Sequence, residues 1–123
     1  MATSTIEKVT NIYGSNSYGN YCKMPDGMLM QWGSLTLNSS SEMTLIGSSG
    51  IYQTPSFFKT LPVNFVGDYE VSGMSRYSSG HFVPLGAIMS NGSQFTAIAY
   101  DFFKRPLNDG LYVVCWQAVG RWK

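Results

Sequence analysis

Two segments hold the chain's densest mixture of chemically versatile side chains. Arg76-Tyr77-Ser78-Ser79-Gly80-His81-Phe82 gathers a cation, two aromatic rings, an imidazole and two hydroxyls around a glycine. Asp101-Phe102-Phe103-Lys104-Arg105-Pro106-Leu107-Asn108 gathers two aromatics, a carboxylate, two cations and an amide. A saccharide presents a C–H face that rests on an aromatic plate, and hydroxyls that need charged or amide partners. Arg76, Tyr77 and His81 supply that chemistry in the first segment. In the second, Asp101 and Arg105 take hydroxyls while Phe103 stacks. Both segments fall between expected strands, and loops on a rigid scaffold are where recognition concentrates. The same residues also suit ordinary solvated loops, closed by a salt bridge and packed phenylalanines.

Catalysis finds little support. His81 is the single histidine, so any serine–histidine–acid triad must use it, and no G-x-S-x-G turn is present. The acids are Glu7, Asp26, Glu42, Asp68, Glu70, Asp101 and Asp109. Asp26 and Asp109 belong to turns. Asp68 and Glu70 alternate on one strand face, which is the pattern of a wet face before it is that of a carboxylate pair. No cysteine or histidine stands at ligand spacing from another, and no glycine-rich phosphate loop occurs. The expectation is a protein that is not an enzyme and uses no metal or cofactor. Cys22 and Cys115 are too few for a disulfide framework; a free cysteine is commonly a small buried hydrophobe, and a bridge between these two stays open at this point.

The 123 residues amount to one domain. Charged residues make up 12% and the net charge is +1, which argues against a nucleic-acid partner. The basic residues are scattered, with Lys104-Arg105 as the one adjacent pair. No apolar run approaches the ~20 residues of a membrane span, and the start lacks a signal-peptide pattern. Aromatics reach 15%, in a background of Gly, Ser and Asn that suits a recognition surface as well as plain β-structure.

The elements that position these residues read as strands. Apolar runs are short or alternate with period two, and Gly, Asn, Asp and Pro bound them. Pro25-Asp26-Gly27 is a turn that pairs Met24 with Met28 and places Cys22, Met30 and Trp32 on one face, the expected core face. Met43 to Ile46 is a short strand. Residues 56–65, broken by Pro62, form an edge strand or arm. Tyr69 to Met74 alternates with one wet face. Asn91-Gly92 is a two-residue hairpin turn pairing Ile88 with Phe95 and Gly86 with Ala97. Asn108-Asp109-Gly110 opens the last strand, 111–122, which is apolar on both faces and so calls for a cover, such as a second subunit, although a central strand in a monomer gives the same pattern. Residues 1–18 read as a lead-in or linker and 19–123 as the folded domain.

The stretch Asn20-Tyr21-Cys22-Lys23-Met24-Pro25-Asp26-Gly27-Met28-Leu29-Met30-Gln31-Trp32-Gly33 resembles the opening hairpin of the C-terminal tip domain of phage and prophage tail fibres. The ending Trp116-Gln117-Ala118-Val119-Gly120-Arg121-Trp122-Lys123 resembles that family's W-x-A-I/V-G-R-W terminus. Phe58 to Phe65 is loosely similar to its F-P-x-x-F segment, altered in that Pro62 follows Leu61 and Phe65 comes three residues later. The resemblance spans 19–123. It implies a small antiparallel β-sandwich, similar to the snail H-type lectins, that forms a homotrimer at the tip of a fibre. It further implies recognition of bacterial surface polysaccharide or another host receptor, location in the virion, and assembly in the host cytoplasm. The alternative is a domain that only trimerises and caps the fibre. The family's motifs mark scaffold and none falls on Arg76, Tyr77 or His81.

Overall fold

The computed structural model describes residues 10–78 and 83–123. Among these the protein is all-β. Its strands are β1 (Ile12–Asn16), β2 (Gly19–Lys23), β3 (Met28–Thr36), β4 (Thr44–Leu45), β5 (Tyr52–Gln53), β6 (Phe57–Thr60), β7 (Glu70–Tyr77), β8 (Val83–Pro84), β9 (Gly86–Asn91), β10 (Gln94–Ile98), β11 (Tyr100–Asp101) and β12 (Tyr112–Arg121). They form a six-stranded sheet, β1-β2-β3-β12-β7-β8, and two three-stranded sheets, β6-β10-β9 and β11-β5-β4. Every pairing is antiparallel. Strand β1 lies within the stretch read as a lead-in and pairs Ile12 to Asn16 with Lys23 to Gly19.

The large sheet buries one face. Tyr112, Val114, Trp116 and Ala118 of β12 point inward, as do Leu29 and Gln31 of β3. Leu29, Trp116 and Ala118 meet Phe95 and Ala97 of β10 in a core that also takes Leu61, Phe65 and Tyr69. Trp116 sits across Phe95 with ring centroids 5.4 Å apart. A second core lies toward the start of β12, where Tyr112 and Val114 meet Leu37, Met43, Ala99 and Leu107.

The expected core face of the first hairpin is overturned. The turn itself forms as expected: Gly27 takes φ +101°, Asp26 Oδ1 accepts from the Met28 amide at 3.0 Å, and the Met24 amide donates to the Met28 carbonyl. Yet Met30 and Trp32 face out, 36% and 38% exposed, and only Cys22 of that trio is buried. Gln31 goes inside because its carboxamide stands in for a strand. Its Nε2 donates to the Val63 carbonyl and its Oε1 accepts from the Val63 amide, both at 2.8 Å. A buried amide with both ends satisfied escapes the penalty that polarity alone implies.

The second hairpin is shifted by one residue. Phe95 pairs with Met89 and Ala97 with Ala87, and the register slips at a bulge between Gln94 and Phe95. Asn91 causes the shift: its Oδ1 accepts from the Ser93 amide, the Ser93 hydroxyl and the Gln94 amide at 2.8, 2.7 and 3.1 Å. That side-chain cap moves the turn to Gly92-Ser93. Gly92 must lack a side chain, because a Cβ there would lie 2.4 Å from the Phe65 carbonyl oxygen. β6 sits at a sheet edge, with Pro62 beyond its end, as the proline requires.

β12 has a buried inner face and an open outer one. Its outward residues are Val113 and Val119, half-buried, and Cys115 and Gln117, exposed. The outer sheet face therefore shows Met30, Trp32, Met74 and Cys115 together, with Glu70 and Arg76 as its charges along β7. Both cysteines are free thiols.

The two stretches that carry the resemblance meet at the far end of β12. The Trp122 indole donates to the Met24 carbonyl at 2.8 Å, its amide donates to the Gly27 carbonyl at 2.9 Å, and Arg121 Nη2 donates to the Asp26 carbonyl at 2.7 Å. Lys23 and Lys123 stand 5.3 and 4.8 Å from the Trp122 ring centre. This clasp ties the terminus to the first hairpin. Trp122→Ala removes one hydrogen bond and the indole's packing, so a loss of about 2 kcal/mol is expected in urea denaturation. An unchanged midpoint would show that the clasp is ornamental to stability.

Candidate functional site

The 101–108 segment and the end of β7 converge at the start of β12. Asp101 ends β11 with its carboxylate turned inward, 6% exposed at the side chain. Its Oδ1 accepts from the Phe103 amide at 3.0 Å, and its Oδ2 accepts from Arg105 Nε at 3.2 Å. One buried carboxylate thus closes the tight turn and orients the arginine. The guanidinium of Arg105 lies 5.0 Å from the Tyr77 ring centre and 4.8 Å from that of Phe103. The Tyr77 hydroxyl donates to the Asp109 carboxylate. Tyr77 also leans on Tyr112, with centroids 6.2 Å apart. The result is one cluster: Tyr77, Asp101, Phe103 and Arg105, locked from behind by Asp109 and Tyr112. Phe102 and Phe103 remain more than half exposed.

Arg76 stands apart from this cluster. β7 runs through Tyr77, so Arg76 and Tyr77 are consecutive strand residues and not loop neighbours. The pleat sends their side chains to opposite faces. Arg76 pairs with Val113 on the outer sheet face and donates to the Ser78 carbonyl. Ser78 adopts φ +57° where the chain leaves the strand. His81 and Ser79 lie outside the described residues.

Two tyrosines of the cluster titrate high. The hydrogen bond that Tyr77 donates to Asp109 holds its phenol above the ordinary value of 10.0. Burial pushes Tyr112 above the same value. Its hydroxyl donates to the Tyr100 carbonyl at 3.1 Å, deep under the site. The folded state therefore favours the neutral phenol. That preference is fully present below pH 10 and is lost as pH rises through the raised value. Alkaline titration is expected to show the Tyr77 and Tyr112 phenolates emerging above pH 10, that of the buried Tyr112 together with loss of near-ultraviolet circular dichroism, and Tyr112→Phe should abolish the coupled step while leaving that of Tyr77. A Tyr112 phenolate that titrates with tertiary structure intact would contradict it.

Beside the cluster runs a groove of about 300 Å³ between residues 39–42 and 104–108. The Ser39 amide donates to the Leu107 carbonyl at 2.9 Å, and Lys104 pairs with Glu42 at 3.0 Å. The serine run at 39–41 is, by composition, loop punctuation alone. Nothing in its composition joins it to a segment some 60 residues later; the link exists because β12 and the second core draw both loops together. Asp109 was read as a turn residue, which it is: its Oδ1 accepts from the Leu111 amide at 3.1 Å. Its second oxygen serves Tyr77.

β12 separates this site from the Trp122 clasp by its full length, about 30 Å at ~3.3 Å per residue. Compared with protein-family models, curated proteins and solved structures, the chain matches none.

Proposed function

We propose that this protein is a receptor-binding tip domain of a phage or prophage tail fibre, recognising bacterial surface glycans as a homotrimeric β-sandwich. The observation that carries the reading is the convergence of Tyr77, Asp101, Phe103 and Arg105 into one preorganised cluster that leaves the Phe103 ring exposed. Phe103 has one face on the guanidinium and more than half its surface open to a sugar's C–H face. The resemblance of 20–33 and 116–123 to fibre tips supports the same reading, and those motifs clasp one another as scaffold would. The large sheet, facing β6-β10-β9 across a common core, supports the sandwich. The outer sheet face supports the trimer: Met30, Trp32, Met74 and Cys115 are uncovered within one chain, and Glu70 and Arg76 at separate points of β7 offer a neighbouring copy opposite charges. Weak single sites repeated three times gain avidity without further contacts.

The experiment is binding of the labelled protein to whole bacteria and to a microbial glycan array, with light scattering on the same sample. A trimer mass and glycan binding are expected. Phe103→Ala should weaken single-site affinity about tenfold, the usual scale for a central aromatic anchor. A folded trimer that binds no surface would replace this reading with a structural cap of the fibre. A monomer would remove the fibre-tip reading itself.

A further inference from the structure

We infer that the groove between residues 39–42 and 104–108 is a subsite for a neutral hexose unit, adjoining the Phe103 plate. The inference rests on the glycan reading above and adds the class of sugar and the side chains that hold it. At about 300 Å³ the groove lies at the small end of ligand sites and matches a monosaccharide or disaccharide rather than a peptide or a lipid. Its lining mixes polar groups with apolar surface from Pro106 and the buried Leu107.

The walls carry hydrogen-bonding groups that the fold does not consume. The hydroxyls of Ser40 and Ser41 and the carboxamide of Asn108 are exposed and make no hydrogen bond to any described residue. Each of these groups donates and accepts, as sugar hydroxyls do. Glu42 keeps one carboxylate oxygen beyond the Oε2 that meets Lys104.

Charge decides the class. Both cations that line the groove already hold a carboxylate: Lys104 has Glu42 at 3.0 Å and Arg105 has Asp101 at 3.2 Å. An anionic sugar entering here would meet no uncommitted cation among the described residues, and it would face the Glu42 carboxylate. A uronic acid is therefore disfavoured and an uncharged hexose is accommodated.

The test is an NMR titration of the full chain with the methyl glycosides of glucose, galactose and mannose, and with galacturonic acid, run beside a microbial glycan array. At least one neutral glycoside should shift the amides of residues 39–42 and 104–108, and galacturonic acid should not. The Ser40→Ala/Ser41→Ala double variant removes two exposed hydroxyls and should keep the wild-type melting temperature while losing about tenfold in affinity. Phe103→Ala serves as the comparison at the neighbouring plate. Array binding that depends on Phe103 but not on Ser40 and Ser41 overturns the subsite and leaves the glycan reading standing. Preference for galacturonic acid overturns the neutral class. Absence of binding to every glycan on the array overturns both.

Discussion

Gln31→Leu should destabilise the protein by about 3 kcal/mol, although it places an apolar residue at a fully buried position. Leucine has nearly the volume of glutamine, so the cavity contribution is small. The cost arises at Val63. Its amide and carbonyl each use one end of the Gln31 carboxamide at 2.8 Å. Removing the carboxamide strands both, and each stranded backbone group costs about 1–3 kcal/mol when water is excluded. Val63 is half-buried, so solvent recovers part of that sum. Chemical denaturation should show a lower midpoint with unchanged slope, because the folded core keeps its extent. A shift below 1 kcal/mol would mean that the segment 61–65 reorganises or hydrates its backbone with ease, and that Gln31 is not its anchor.

Asp101→Ala is the second large effect, and it joins stability to the site. The carboxylate is almost wholly buried, caps the Phe103 amide and holds Arg105. Its loss leaves a largely buried guanidinium without its counter-charge, which costs about 3–5 kcal/mol for a buried pair. Arg105 is about one quarter exposed at the side chain, so the lower end applies. Asp101→Asn retains the carbonyl that caps Phe103 while losing the charge, and should fall between the two. Thermal denaturation reads the stability. Glycan binding on the same samples should drop for Asp101→Ala below what Phe103→Ala produces, since Phe103 and Arg105 lose their placement together. Full stability in Asp101→Ala would show that the aromatic rings alone hold the arginine.

Much of the local structure was legible because it depends on near neighbours. Pro25-Asp26-Gly27 and Asn108-Asp109-Gly110 each carry their turn chemistry within three residues, and both turns form. The edge position of β6 follows from a proline that cannot donate to a ladder. Local pattern and structure part where a side chain competes with the backbone. Asn91 has three donors within reach and pulls the hairpin register by one residue. Gln31 takes the inward face that the pattern assigns to Cys22, Met30 and Trp32, because its partner, Val63, is 32 residues away and no local pattern records it.

The candidate site divides the same way. Asp101, Phe103 and Arg105 share a short segment, so their chemistry was readable together. Tyr77 joins them only because β7 and β12 are neighbours, with Tyr77 opposite Tyr112. Arg76 leaves them for the same reason, since alternation along a strand puts adjacent residues on opposite faces. The serine run at 39–41 enters through the second core, where Leu37, Met43 and Leu107 pack together. By itself, then, the sequence determined an all-β chain with its principal turns and an aromatic, charge-poor character. The choice of inward face, the hairpin register and the membership of the site were decided by tertiary structure. Those properties depend on which distant groups satisfy a buried hydrogen bond, and no local pattern of residues records that.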